Sequence, residues 1–297
     1  MKKILLGSIV FVILMVPTTG ALNILSINNA EIETPSNISN EDFTHTVLVE
    51  SCTKTTCPYC VTAASQLYSI YNSGDLDFHY VALVTNEGNL NVRLRLQELG
   101  ITVIPDVFFD GKYNRITGGQ SSEQPYRDAI TQAGMRDVPD IDLDVEVVWR
   151  GGSTLKIEVT VVNNEPETYK GHLRTYIVEK ESRWNDQGGN PYHYAVLDIP
   201  IDRSLAIVAN SGTKPLGDTY TFKKTWFGVL HGFGDISRDN IKVTAAVFDT
   251  DTDYAVQTAS AEPTSASNSH QTTNPLFLQI LEGFINRFPL LERLLGF

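Results

Sequence analysis

Cys52, Cys57 and Cys60 fall within nine residues, and they are the only cysteines in a chain of 297. A small secreted fold stapled by disulfides spreads its cysteines along the chain, so this clustering points to local chemistry. Cys57-Pro58-Tyr59-Cys60 has Cys-x-x-Cys spacing. At the start of a helix, that spacing sets two sulfurs about one turn apart, on one face and within disulfide reach. Unpaired backbone N–H groups and the helix dipole favour a thiolate at the first position. The thiolate is the attacking species in thiol–disulfide exchange. Cys57 is therefore the expected nucleophile and Cys60, a turn deeper, the resolving thiol. Pro58 suits the first turn, where its missing N–H costs nothing. A purely structural Cys57–Cys60 disulfide fits the same spacing. Zinc fits less well, because Cys52 would add a third thiolate while His45 and His79 lack ligand-like spacing for a fourth. No metal or cofactor is expected. Cys52 itself has three readings: an alternative disulfide with Cys57, a bond to another chain, or a buried thiol in an apolar position at a strand end.

The elements that must hold this motif are legible as patterns. After a polar, irregular lead-in over residues 22–44, Thr46–Ser51 reads as a buried strand rich in β-branched residues. Val61, Ala64, Leu67, Tyr68 and Tyr71 recur at helical spacing up to Gly74. Asp77–Val84 is a second strand run, and Leu90–Leu99 a second helix with Asn89 as N-cap and Gly100 as stop. Asp110-Gly111, between strand-like runs ending at Phe109 and starting at Lys112, signals a hairpin. Ser121-Ser122-Glu123-Gln124 predicts a capping box for a helix that Gly134 stops. The order β-α-β-α-β-β-α over residues 45–137 predicts an α/β domain with a mixed sheet. From Val138 the texture is all-β. Ile141–Trp149, Leu155–Asn163, His172–Glu181, Tyr192–Ile199, Thr219–Phe227, Ile241–Phe248 and Tyr254–Ala259 are strand candidates. They predict an immunoglobulin-like or fibronectin-like sandwich over residues 138–260.

Residues 46–135 resemble the thioredoxin superfamily. Cys-Pro-Tyr-Cys is the tetrapeptide typical of glutaredoxins, and Ile104-Pro105 stands where the superfamily has its cis-proline. The resemblance implies a thioredoxin-like α/β fold in which Pro105 is cis and faces the cysteines while Ile104 lines the site. Ile104, Pro105 and Tyr59 are then the candidate substrate contacts. It also implies a buried acidic residue ahead of the first cysteine that relays protons. Ser51 stands at that place, and the neighbouring Glu50 is the candidate; a strand-end carboxylate without that role is the other reading. Thr56 stands where thioredoxins carry Trp, and glutathione-recognition features are not evident. With Val47-Leu48-Val49-Glu50 and Phe108-Phe109-Asp110-Gly111, residues 45–262 also resemble secreted prokaryotic proteins that append an immunoglobulin-like sandwich to such a domain.

Met1-Lys2-Lys3, the apolar run Ile4–Val16 and small residues through Ala21 predict an export signal over residues 1–21. Residues 261–274 read as a Ser/Thr-rich linker. Residues 275–297 read as an amphipathic helix, apolar at Leu276, Ile280, Phe284, Phe288 and Leu291. Its charges favour attachment at a membrane surface over spanning. A net charge of −12 without a basic run argues against nucleic acid. Asp249–Asp253 looks like a calcium loop but lacks the later Gly and Glu, so a solvated turn is expected. The expected function is extracytoplasmic thiol–disulfide exchange with protein thiols or disulfides and a redox partner. The alternative is a non-enzymatic cell-surface binding protein that retains the fold and a structural disulfide.

Overall fold

In the computed structural model, which describes residues 43–208 and 218–265, the run Val47–Thr53 forms a strand (β1) buried at every position. A strand like this needs cover on both faces. α1 (Pro58–Ser73) covers one face and returns the chain to β2 (Phe78–Val84), which runs parallel to β1. α2 (Leu90–Leu99) covers the other; the Asn89 side chain caps it on the Val92 N–H and Gly100 ends it in the left-handed region. β3 (Asp106–Phe109) lies antiparallel to β1, and β4 (Asn114–Thr117) antiparallel to β3. Their turn starts at Asp110 and Gly111 with φ of 48° and 68°, the conformation that Asp-Gly pairs accept. α3 (Gln124–Gly134) closes the segment. The expected capping box does not form. The helix is entered at Glu123, which makes no side-chain cap bond, and its carboxylate takes Arg127 at 3.3 Å instead.

The second part is built from β5 (Ile141–Trp149), β6 (Thr154–Asn163), β7 (Tyr169–Asn185), β8 (Pro191–Asp198) and β9 (Asp202–Ile207). β10 (Asp218–Phe227), β11 (Ile241–Asp249), β12 (Ala255–Ala261) and β13 (Thr264–Ser265) complete it. β9 has no counterpart among the expected strands, and β13 lies at the start of the expected linker. A four-stranded sheet in the order β10-β6-β5-β13 packs on strands of a nine-stranded sheet. Ile157, Val159 and Val161 of β6 meet Leu173, Ile177, Val243, Ala245 and Val247 in one core, with Trp226 buried among them. This part is a β-sandwich. The signal (1–21), the tail (275–297), all but the last two lead-in residues and the linker beyond Ser265 lie outside the described residues.

The larger sheet runs β12-β11-β7-β8-β2-β1-β3-β4, with β9 beside the first half of β7. One register pair, Ala82 with Ala195, joins β2 to β8 and makes the strands of both parts a single sheet. Its ends approach each other: Gly111 bridges Tyr254, and the Ala255 N–H donates to the Asp110 carbonyl at 3.2 Å. Inside this curl, Leu48, Cys52, Leu83, Leu96 and Phe108 pack with Tyr176, Val178, Val196, Ala246 and Phe248. The change in texture at residue 138 therefore separates element types that share a core. Among the described residues, no helix is long and apolar enough to cross a membrane.

Candidate functional site

Strand alternation sorts β1 into two faces. Val47 and Val49 pack with Ala63, Leu67 and Ile70 of α1 and with α3. Leu48 and Cys52 pack with Val92, Leu96 and Leu99 of α2. The cysteine pair belongs to the first face: Cys60 heads the buried stripe of α1, ahead of Ala63, Leu67 and Ile70.

Cys57 is the N-cap of α1, extended at φ −105°, ψ 112°, and its sulfur accepts the Cys60 N–H at 3.2 Å. The two cysteines form a disulfide with their Cα atoms 5.3 Å apart. Cys60 is fully buried, and Cys57 keeps a small exposed surface of 9%. The Ile104–Pro105 bond is cis, and the Ile104 carbonyl oxygen lies 3.9 Å from Cys57 Sγ. Tyr59 is exposed between the cysteines. The chain at Gly119 runs beside it, where an added Cβ would stand 3.1 Å from the Tyr59 carbonyl. Cys57, Cys60, Ile104 and Tyr59 thus gather at the head of α1.

Glu50 does not join them. By alternation it faces α2, where Arg95 grips it with Nε on Oε1 at 2.8 Å and Nη2 on Oε2 at 2.6 Å. The Tyr176 hydroxyl donates to Oε1 at 2.8 Å. Burial alone would raise its pKa, but Arg95, Arg174 and Tyr176 outweigh burial and hold the carboxyl below its ordinary value. A carboxylate so held is a poor proton carrier. Arg95 continues to Glu98 at 3.2 Å, and Arg174 reaches the same Glu98 at 2.7 Å. Glu50 is the buried end of an ionic chain that runs through Arg95 to the exposed Glu98 and on to Arg174, between the two parts of the molecule.

Cys52 lies on this same closed face as a free, buried thiol. Burial, and after it the charges of Glu50 and Asp106, push the thiol well above its usual range. The Asp249–Asp253 segment is a turn closed on itself, with Asp249 Oδ1 accepting the Asp251 N–H, the Thr252 N–H and the Thr252 hydroxyl at 3.0 Å each.

The loop before Cys57 carries contacts the motif did not suggest. The Cys57 N–H donates to the Lys54 carbonyl at 3.1 Å. Tyr192 donates its hydroxyl to that same carbonyl at 3.0 Å and accepts the Thr53 hydroxyl at 2.9 Å. Tyr192 lies 139 residues after Thr53, and nothing local in its sequence marks it.

No family model matches the chain, and no curated protein matches it. A domain of the outer membrane lipoprotein Omp28 from Porphyromonas gingivalis is similar over 44% of this chain and 96% of that one, at 15% identity and TM-score 0.23. Spo0M, a sporulation control protein from Bacillus subtilis, is similar over 51% of this chain and 56% of that one, at 11% identity and TM-score 0.31. A β-glucuronidase from Bacteroides uniformis is similar over 40% of this chain at 15% identity and TM-score 0.24, and the match spans only 12% of the enzyme. Scores this low bear on neither the fold nor the site.

Proposed function

We propose that the chain is an extracytoplasmic thiol–disulfide oxidoreductase acting on protein thiols or disulfides, with residues 45–137 in a thioredoxin-like arrangement joined to an immunoglobulin-like sandwich. One observation carries the reading. The Cys57–Cys60 disulfide stands at the head of α1 with the cis Ile104–Pro105 peptide against its outer sulfur. In the oxidising direction, a substrate thiolate attacks Cys57 Sγ, the Cys57–Cys60 bond breaks, and Cys60 leaves as thiolate. A second substrate thiolate then attacks the substrate sulfur of the mixed disulfide, and Cys57 leaves as thiolate. The substrate gains a disulfide and the protein becomes a dithiol; the reverse sequence reduces a substrate disulfide. The Cys60 N–H at 3.2 Å stabilises charge on Cys57 in either direction. The extracytoplasmic placement rests on residues 1–21, and the proposed surface attachment on residues 275–297.

The test is exchange with a model dithiol peptide and its disulfide. Cys57→Ser should abolish exchange, and Cys60→Ser should accumulate a mixed disulfide at Cys57. Full exchange by Cys57→Ser would overturn the assignment. The second reading, a binding protein with a structural disulfide, draws on the slight exposure of Cys57. It gains if the wild-type protein exchanges no faster than a free dithiol.

A further inference from the structure

We infer that Tyr192, a residue of the sandwich, is a positioning residue for Cys57, and that the β7–β8 hairpin is an integral part of the cysteine site. The inference rests on the redox reading above and adds the element that sets the nucleophile in place.

The chain of contacts is short. The Lys54 carbonyl accepts both the Tyr192 hydroxyl and the Cys57 N–H. The same hydroxyl accepts from Thr53, the last residue of β1. One phenol therefore ties the end of β1 to the loop that presents Cys57. Its ring is fixed in turn, being 1% exposed and packed with Val84 and Ala195, with Ala64 of α1 and Trp184 alongside. The hairpin tip makes a second contact with α1. An added Cβ at Gly188 would lie 3.7 Å from Val61, one residue after Cys60. The tip is closed on itself, with the Asp186 N–H donating to the Asn190 carbonyl at 2.8 Å and the Asn190 N–H to Asp186 Oδ1 at 3.0 Å.

Geometry decides what this does for chemistry. Cys57 Sγ meets the Cys60 N–H only while the loop holds Cys57 at the N-cap position. Without the phenol hydroxyl, Lys54 loses its fixed partner in the sandwich, and the Cys57 backbone is held from one side only. The sulfur then spends less time against the Cys60 N–H, and its thiolate is less favoured.

The experiment follows alkylation of the reduced full chain by iodoacetamide against pH, with the label located at Cys57 by mass spectrometry. Tyr192→Phe keeps the ring in its slot. It should move the midpoint of the Cys57 profile upward and slow alkylation at pH 6 about three-fold or more. The double variant Thr53→Val/Tyr192→Phe leaves no orphaned hydroxyl, so it folds even where the single variant is weakened, and it should show the same shift. Thr53→Val alone keeps the Tyr192–Lys54 bond and should move the midpoint less. A double variant with the wild-type midpoint overturns the inference. So does Thr53→Val shifting as far as Tyr192→Phe, which would mark a general loss of packing. Alkylation needs no exchange partner, so a wild-type protein inactive in exchange would sink the proposed function and leave this result readable.

Discussion

The two faces of β1 treat their reactive groups in opposite ways. Toward α1, the helix start leaves a backbone N–H over for the Cys57 sulfur, and the residue retains a little exposed surface. Toward α2, Glu50 is fully paired, Cys52 is sealed in, and the charges are shared along Arg95, Glu98 and Arg174. By the same alternation on β2, His79 faces this closed side with Val81 and Leu83. Strand periodicity alone separates the two environments, so neighbouring residues in sequence have unrelated chemistry. Cys57 combines a backbone donor with some exposure, whereas Glu50 is paired on both oxygens and Cys52 has no exposed surface.

The comparison breaks most visibly if the closed face loses its second half. Ending the chain after Asp137 would remove Tyr176, Val178, Val196, Ala246 and Phe248 from the core inside the curl. It would also expose the edge of β2 that pairs with β8. Such a fragment should be insoluble or lack a cooperative melt, as read by circular dichroism. A fragment that melts cooperatively would mean that the shared core is dispensable.

Within the intact chain, Arg95→Met should have the next largest effect, because it leaves the Glu50 carboxylate buried without its partner. Loss of one member of a buried pair costs about 3–5 kcal/mol, measured by urea unfolding. Glu50→Leu/Arg95→Met should recover much of that loss, since an apolar pair of similar volume is often neutral or better. A double variant as unstable as the single one would show that the ionic chain holds the two parts together by itself.

How much of this was legible in the sequence follows the same division. The cysteine motif, the Asn89 cap, the Gly74 and Gly100 stops and the Asp110-Gly111 turn depend on a few adjacent residues, and all of these stand in the structure. The union of the sheets was not legible. It turns on Ala82 meeting Ala195, two small residues in apolar runs that fit any buried strand. β9, with Asp202 and Arg203 at its start and little alternation, has a weak strand signal and forms because the first half of β7 offers an open edge. Glu50 is one residue from Ser51 yet packs toward Arg95 of α2, because position along a strand also decides which face a side chain takes. Tyr192 was missed because its role is entirely a contact across the sheet.

His79 sharpens the comparison with a pH dependence. Burial, with a smaller push from Lys242, brings its pKa down to about 3, and its Nδ1 is buried without a hydrogen-bond partner. The unfolded chain binds a proton near pH 6.5 that the folded chain refuses. Its contribution to stability is therefore present above pH 6.5 and is lost as pH falls toward 3. Between pH 6.5 and 5 the wild type should lose about 1–2 kcal/mol more than His79→Leu, with the ceiling for one group near 1.4 kcal/mol per pH unit. Parallel urea-midpoint curves for the two proteins would mean that this half-buried ring takes up a proton in the folded state without cost.

The smallest effect should belong to Cys52, and its smallness is the point. Cys52 is eight residues from Cys60 in the chain, yet it has no exposed surface and its thiol is held neutral by burial and by the carboxylates of Glu50 and Asp106. The thiolate is what alkylates and exchanges. In the native reduced protein, iodoacetamide should therefore label Cys57 and leave Cys52 unmodified until denaturant is added. Cys52→Ala removes one buried sulfur, comparable to deleting a methyl-sized group, and should cost about 1 kcal/mol in a urea melt. The ionisation argument adds a direction. The folded thiol stays protonated where the unfolded one ionises, so its share of stability holds below the ordinary thiol range and fades as pH rises above it. Cys52→Ala should lose that alkaline slope, and the exchange proposed for Cys57 and Cys60 should keep its wild-type rate. Rapid native labelling of Cys52, or a changed exchange rate in Cys52→Ala, would mean that the closed face opens to the site on the far side of the strand.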